Sequence, residues 1–224
     1  MEYYSNVKLV LPSWTTEEAT AYLANVARVS HATSDWEGKK RNPKKDSELL
    51  KFLFVCGHWS VFEFIDFTFL IDCPIFVARQ LMRYRHASYI ERSLRYTRAK
   101  YEETECAPDS IDALYETAQK RAFETYQDLL DKGERQELAR AVLPLGTQTQ
   151  FLMKVNLREL FHIFDERLML EAQRETRSVV KKMFNAVSDC LPELCQEWIN
   201  HHLESEIDVD NRFIVDEEGG DANG

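Results

Sequence analysis

The chain has 224 residues, of which 44% are hydrophobic and 29% are charged, and its formal net charge is −10. This length and composition are typical of a globular protein that buries a sizeable core in one domain. The sequence has no apolar run long enough to span a membrane and no signal-peptide pattern, so we expect a cytoplasmic protein. Because nucleic acid is a polyanion, so acidic a chain is a poor general nucleic-acid binder.

The cysteines are scattered along the chain and form no Cys-x-x-Cys pair, which predicts reduced thiols. They are Cys56, Cys73, Cys106, Cys190 and Cys195. The last two precede His201 and His202, but their spacing fits no common zinc site, so the sequence predicts no metal centre.

Helical signals come first along the chain. Thr15 and Glu18 have the spacing of a capping box and predict a helix that begins directly after Thr15. Residues 36–46 are polar and basic and predict a loop. Asp46 or Ser47 is then expected to cap a second helix.

The next segment, from Gly57 to Pro74, contains a helix stop signal, then a strand pattern, then a helix start. Gly57 follows the second helix as a C-terminal stop signal. Residues Phe62 to Ile71 are rich in aromatic and β-branched side chains and predict a strand. Pro74 is a natural first-turn residue and predicts a short helix beyond it.

The second half of the chain predicts long helices around one strand. The strand covers Thr147 to Val155, where apolar and polar residues alternate. The predicted helices cover 110–132, 134–142, 157–167 (with Asn156 as its cap) and 170–191. Few strands among long helices indicate an α+β fold. Residues 204–224 carry eight carboxylates and one arginine, which predicts a disordered acidic tail.

Six arginines fall between Arg79 and Arg98, and Glu91 is the only carboxylate among them. Clustered guanidinium groups repel one another unless an anion lies between them, and arginine is suited to bidentate recognition of phosphate. Interleaved serines and tyrosines add hydroxyl donors and flat rings. The segment therefore predicts a site for a phosphorylated aromatic ligand such as a nucleotide; the alternative is a solvated basic face or a nucleic-acid patch.

Within the same segment, the spacing of the polar side chains changes from helical to strand-like. Helical spacing after Pro74 places Arg79 and Arg83 on one face of a helix. Beyond Ser88 the polar groups recur at every second position, so Glu91, Ser93 and Arg95 are expected to share one face of an extended chain.

These residues carry a family resemblance. The run Arg83-Tyr84-Arg85-x-x-Ser88-x-x-Glu91-x-Ser93-x-Arg95 resembles the signature Arg-His-Arg-x-x-Ser-x-x-x-x-Ser-x-Arg of the flavin-dependent thymidylate synthases, the ThyX family. Further elements of that family are similar to Ala27–Ser30, His58–Glu63, Pro74–Gln80, Glu137–Leu145 and Ala172–Arg177. Their ordered occurrence from about residue 20 to about residue 200 makes the resemblance specific.

The resemblance implies a fold and a reaction. It implies one catalytic domain over residues 1–203, with a small antiparallel sheet flanked by long helices, in a homotetramer whose active sites are shared between subunits. The implied reaction is the reductive methylation of dUMP to dTMP at C5 of the uracil. Methylenetetrahydrofolate would supply the carbon, FAD would mediate and NADPH would reduce the flavin. The sequence contains no Gly-x-Gly-x-x-Gly run, so such a flavin would not use a Rossmann loop.

The resemblance also implies residue roles. Arg177 is expected to polarise the uracil, with Arg174 as a second candidate. The residues expected to hold the nucleotide are Gln80, Arg83, Glu91, Arg92, Ser93, Arg95 and Gln150. The residues expected to contact FAD are His58, Ser60, Glu63, Arg83, Tyr84, Arg85, Glu91 and Arg167.

Some of these residues have simpler explanations. His58 follows a predicted helix end and could be a capping residue. Arg167 and Arg174 could form helix-surface ion pairs with Glu166, Glu171 or Glu175. Ser93 could be a nucleophile, but the sequence shows no base and orienting partner for it, so we interpret it as a hydrogen-bonding hydroxyl.

Three positions depart from the family pattern: Tyr84, Ile90 and Gln150 replace the usual His, Asn and Arg. Gln150 cannot neutralise a phosphate. Either Arg92 or Arg95 compensates, which we favour, or the substrate is another pyrimidine nucleotide such as UMP or dCMP. A nucleotide- or RNA-binding protein without catalysis is the remaining alternative.

Overall fold

The computed structural model describes residues 5–30, 42–99 and 113–202. These residues form two compact units. Unit 1 contains residues 5–12, 66–99 and 113–155, and unit 2 contains residues 13–30, 42–65 and 156–202. A single catalytic domain over 1–203 stays a prediction. The predicted loop up to residue 41, Cys106 and the acidic tail lie outside the described residues.

Unit 1 is built on a four-stranded antiparallel sheet with strand order β1-β2-β4-β3. The strands are β1 (Asn6–Leu11), β2 (Asp66–Pro74), β3 (Ala87–Glu91) and β4 (Gln148–Asn156). Its helices are α3 (Ile75–Leu81), α4 (Ala113–Asp131) and α5 (Gln136–Ala139), and a 3-10 turn covers Arg140–Val142. The expected α+β fold with a small antiparallel sheet is confirmed.

The two faces of the sheet differ in burial because side chains alternate along each strand. Phe69 on β2 and Phe151 and Met153 on β4 are at most 1% exposed, and we call their side the covered face. We call the other side the open face, on which Gln150 is half-buried and Ile90 is 73% exposed. The predicted alternation of the second-half strand is confirmed.

Unit 2 is helical. Its helices are α1 (Thr16–Val29), α2 (Pro43–Val55), α6 (Leu157–Arg167), α7 (Arg174–Cys190) and α8 (Pro192–His201), and a 3-10 turn covers Trp59–Phe64. Thr15 accepts from the Glu18 backbone N–H at 3.3 Å while the Glu18 carboxylate accepts from Thr15, so the predicted capping box is confirmed. The core includes Phe164 and Trp198, whose ring centroids are 6.0 Å apart.

Several predicted boundaries are wrong. Helix α2 begins at Pro43 with Asn42 as its cap, and Asp46 is a buried first-turn residue paired with Arg28. The predicted strand over Phe62–Ile71 begins at Asp66 instead. The last long helix starts at Arg174 rather than at 170.

Two elements, β1 and α8, were not predicted at all. Within the described stretches 5–30, 42–99 and 113–202, no helix is both long and apolar enough to cross a membrane.

Candidate functional site

The arginine segment spans the end of α3 and the strand β3 in unit 1. Helix α3 begins against the loop before β4, because the Ile75 N–H donates to the Thr147 carbonyl at 2.9 Å. The Tyr89 hydroxyl lies within hydrogen-bond distance of the Leu81 carbonyl at 2.7 Å and the Tyr84 carbonyl at 2.9 Å. Tyr89 therefore fixes the turn between α3 and β3, which carries Arg83 and Arg85.

All six arginines of the segment are exposed. Among the residues that the structure describes, no carboxylate forms an ion pair with Arg83 or Arg85. Tyr84 between them is only 5% exposed, so its side chain packs inward while its two neighbours face outward. The turn thus presents two uncompensated guanidinium groups, a pattern suited to an anionic ligand.

Glu91 is held by a buried hydroxyl. The Thr149 Oγ1 donates to Glu91 Oε1 at 2.7 Å, and Thr149 is 4% exposed. Glu91 pairs with Phe151 in the β3–β4 register, and directly paired residues point to the same side of a sheet. The carboxylate of Glu91 therefore lies on the covered face.

The expectation that Glu91, Ser93 and Arg95 share an extended face is wrong beyond Glu91. Strand β3 ends at Glu91, and the Ser93 carbonyl accepts from the backbone N–H groups of Tyr96 and Thr97 at 3.1 and 3.0 Å. The chain turns here because these bonds replace the ladder of the sheet.

Arg95 projects from this turn toward α5. Its Nη2 lies 3.1 Å from Oε2 of Glu137, whose Oε1 lies 3.6 Å from Nη1 of Arg135. The Arg95 guanidinium also lies over the ring of Tyr96, 5.5 Å from its centroid. Arg95 is therefore partly neutralised by Glu137 before any ligand binds.

Gln150 lies on the opposite side of the sheet from Glu91. Its Nε2 donates to Asp72 Oδ1 at 2.7 Å, and its carbonyl accepts from the Arg92 N–H at 2.9 Å. Continuing the β3–β4 register, Arg92 and Gln150 are neighbours on the open face. Of the two predicted compensating arginines, Arg92 is the one beside Gln150.

Unit 2 carries the other predicted flavin contacts. His58 and Ser60 are exposed at the start of the 3-10 turn. At the end of α2 the His58 backbone N–H donates to the Leu53 carbonyl at 2.9 Å, and the His58 side chain makes no cap hydrogen bond to the 3-10 turn that follows. Glu63 forms an ion pair with Arg158 at the start of α6.

The predicted catalytic arginines lie at the start of α7. The Arg177 Nη1 donates to the Leu170 carbonyl at 2.7 Å and to the Ala172 carbonyl at 2.9 Å, so Arg177 holds the loop before its own helix. Arg174 is exposed one turn earlier. Arg167 Nη2 lies 3.7 Å from Oε2 of Glu166, a long contact that agrees in part with the alternative of a helix-surface ion pair.

Three polar partners at this site were missed from the sequence: Thr149, Asp72 and Glu137. Each one holds a residue that the resemblance singled out. The strand alternation did place Thr149 and Gln150 on opposite faces, but pairing across strands is not readable from one strand's own pattern. Among the described residues, no group of His, Cys, Asp or Glu side chains could hold a metal ion.

Comparison with known proteins gives the family. Residues 11–193 match the family model described as thymidylate synthase complementing protein. The flavin-dependent thymidylate synthase of Pseudothermotoga lettingae is 34% identical over 194 residues, which cover 81% of this chain and 86% of the relative. The chain belongs to the flavin-dependent thymidylate synthase family. The resemblance drawn from its sequence is thereby confirmed.

Other proteins are similar to the chain over most of its length. A flavin-dependent thymidylate synthase of Thermus thermophilus is 34% identical over 200 residues, which cover 81% of this chain and 72% of the relative. Among solved structures, a UMP/dUMP methylase, PolB from Streptomyces cacaoi bound with 5-Br dUMP, is 28% identical with a TM-score of 0.78. That comparison covers 89% of this chain and 96% of PolB. A second PolB structure, bound with 5-Br UMP, has a TM-score of 0.72 and 26% identity, and covers 89% of this chain and 95% of PolB.

Proposed function

We propose that the chain is an active flavin-dependent enzyme that methylates C5 of dUMP to give dTMP. The observation that carries the proposal is the exposed pair Arg83 and Arg85, uncompensated within the described residues, in the same segment as a carboxylate that Thr149 holds in place at Glu91. In a chain with a net charge of −10, this local excess of positive charge is suited to a nucleotide phosphate.

The cofactors follow from family membership and remain part of the proposal. When bound, FAD would carry electrons from NADPH to the one-carbon unit that methylenetetrahydrofolate supplies. The donors present fit a flavin dinucleotide, because Arg83 and Arg85 can hold a diphosphate without a glycine-rich loop. His58 and Ser60 are exposed donors on unit 2, and Glu63 and Arg167 lie in the same unit.

The chain's own residues would act by binding and polarising. Uracil C5 becomes a better nucleophile when cationic donors stabilise the negative charge that develops on the ring oxygens and N3. Arg177 and Arg174 are proposed for this role. Arg177 is positioned by its two bonds to the loop before α7, so its guanidinium is oriented before substrate arrives. Gln80, Arg83, Glu91, Ser93 and Arg95 would hold the nucleotide.

A second candidate substrate is UMP. The Gln150 amide is engaged by the carboxylate of Asp72, so this position offers no positive charge to a phosphate. The solved relative PolB is a UMP/dUMP methylase and was crystallised with 5-Br UMP as well as 5-Br dUMP. UMP and dUMP share the phosphate and differ in the ribose 2′-hydroxyl, so the exchange at Gln150 does not by itself select between them, and the support for UMP is the similarity to PolB.

A homotetramer with shared active sites remains a proposal. The open face of the sheet supports an assembly, since it carries the 73% exposed Ile90 beside the partly exposed Leu70 and Leu152. A contiguous apolar patch on an exposed face is typical of a surface that another chain covers.

Flavin retention and turnover test the proposal together. The purified protein should be yellow, and Arg83→Ala should weaken FAD binding by about 1.5–3 kcal/mol, since a charged hydrogen-bond partner is lost. Arg121→Ala, an exposed arginine on α4, is the matched control and should retain wild-type affinity. Turnover of dUMP, UMP and dCMP with methylenetetrahydrofolate and NADPH then ranks the substrates. A colourless protein that ignores added FAD would refute the proposal.

A further inference from the structure

Two adjacent residues of β4 each hold a carboxylate on a different face of the sheet. Thr149 donates to Glu91 at 2.7 Å on the covered face, and Gln150 donates to Asp72 at 2.7 Å on the open face. The two members of the first pair differ in burial, because Thr149 is 4% exposed whereas Glu91 is an exposed residue at the end of β3. A buried hydroxyl donor is therefore hydrogen-bonded to a carboxylate that is exposed to solvent.

The hydrogen bond restricts Glu91 strongly. A free glutamate at a strand end samples many rotamers, and ordering it costs conformational entropy. Thr149 is β-branched, so its χ1 is stiff, and it lies on the covered face of β4. Oε1 of Glu91 is held by this donor, and no hydrogen bond to Oε2 is formed by the residues that the structure describes, so Oε2 can accept one from a ligand.

We propose that Thr149 is a positioning residue for ligand binding, and that it acts by orienting Glu91. The inference rests on the proposed function. The partner of Glu91 is an N–H or O–H donor, either on the nucleotide (the pyrimidine N3–H or a ribose hydroxyl) or on the flavin (a ring N–H or a ribityl hydroxyl). Glu91 is the only carboxylate among the six arginines, so it is the side chain of the segment whose ionised form accepts hydrogen bonds without donating any.

The test compares Thr149→Val with Thr149→Ser. Valine keeps the branched shape and removes the hydroxyl, whereas serine keeps the hydroxyl and removes the methyl group. Thr125→Val, an exposed helix position on α4, is the control for a Thr-to-Val change elsewhere in the unit. Binding is measured in two arms: FAD alone by fluorescence quenching, and dUMP or UMP with FAD at saturation.

We expect Thr149→Val to weaken about tenfold the binding of the ligand that Glu91 contacts, and Thr149→Ser to stay near wild type. If the binding of FAD alone is weakened, the donor belongs to the flavin. If the binding of dUMP or UMP is weakened with FAD at saturation, the donor belongs to the nucleotide. Thermal unfolding checks that each variant folds, and Glu91→Gln provides the same test from the other partner if Thr149→Val does not fold. Glu91→Gln should weaken the same ligand, since an amide replaces the accepting oxygen.

A double-variant cycle separates positioning from packing. If Thr149 acts through Glu91, then Thr149→Val adds little to the loss already caused by Glu91→Gln. Additive losses, wild-type binding by Thr149→Val in both arms, or equal losses for the serine and valine variants would each overturn the inference. Wild-type protein that binds neither flavin nor nucleotide would refute the proposed function itself, and this inference with it.

Discussion

At the scale of single residues, the neighbour Asp72 changes the effect that we expect from replacing Gln150 by arginine. From sequence, Gln150 stands where the family usually has arginine, and the simplest expectation is that restoring arginine would improve nucleotide binding. The structure places the carboxylate of Asp72 at 2.7 Å from the Gln150 amide. An arginine introduced there would form an ion pair with Asp72, and this carboxylate would compete with a phosphate for the guanidinium.

We therefore expect Gln150→Arg alone to leave the KM for dUMP near its wild-type value. The double variant Asp72→Asn/Gln150→Arg should lower KM about tenfold with little change in kcat, because phosphate binding contributes equally to ground and transition states. Steady-state kinetics of the two variants, with Asp72→Asn as the control, measure this. A low KM for the single variant would show that Asp72 does not compete for the guanidinium.

At the scale of elements, the end of α8 is attached to α6 by a histidine. Asp165 Oδ1 accepts from Trp198 Nε1 at 2.7 Å and lies 3.2 Å from His202 Nε2. The other ring nitrogen of His202 lies 2.8 Å from the Trp198 carbonyl, and the two rings stack with centroids 4.3 Å apart. Only the protonated imidazole can donate from both nitrogens, so the hydrogen bond to Asp165 raises the pKa of His202.

This attachment predicts a pH-dependent stability. A raised folded-state pKa means that the stabilisation is fully present below the unfolded value of about 6.5 and is lost as pH rises through the folded value. His202→Asn should therefore lower the free energy of unfolding by about 0.5–1 kcal/mol at pH 5.5 and by less at pH 9. Denaturant unfolding at both pH values measures it, with the exposed neighbour His201→Asn as control. A loss that is equal at both pH values would contradict the role of the charge.

How far the elements were predictable depends on whether their signals are local. The capping box at Thr15, the cap at Asn156 and the alternation of β4 are local patterns, and each was confirmed. Strand β1 was missed because its six residues have little pattern of their own and pair with β2, whose Ile71 faces Val7. The predicted start of α2 was wrong because Asp46, although its residue type is a strong helix cap, lies inside the first turn, where it is buried and forms an ion pair with Arg28.

The residues of the candidate site likewise fall into those that local sequence patterns predicted and those that they did not. The arginines, Glu91 and the helix-to-strand change were readable from the sequence, since they lie within about twenty residues of one another. Their partners Thr149, Asp72 and Glu137 were not, because each belongs to another element and is brought near by the fold. The residue types of a site can be predicted before the hydrogen bonds that orient them.

At the scale of the whole molecule, the buried thiols offer little to nucleophilic chemistry. Cys73, Cys190 and Cys195 are buried, and Cys56 is exposed. Burial raises the pKa of Cys195, and burial together with the charge of Asp189 raises the pKa of Cys190. A thiol with a raised pKa holds less of the reactive thiolate at neutral pH. Cys106 lies outside the described residues.

We accordingly expect catalysis without a cysteine nucleophile. A variant with all five cysteines replaced, by alanine at the three buried positions and by serine at Cys56 and Cys106, should retain most of its turnover of dUMP once thermal unfolding shows that it folds. The reason is that the proposed chemistry requires polarisation of the uracil by guanidinium groups rather than attack by sulfur. Single replacements serve as controls for the cost of removing each buried side chain. If one well-folded single-cysteine variant lost all activity while keeping its flavin, a thiol would have to form a bond to the substrate, and the arginine-based route would be wrong.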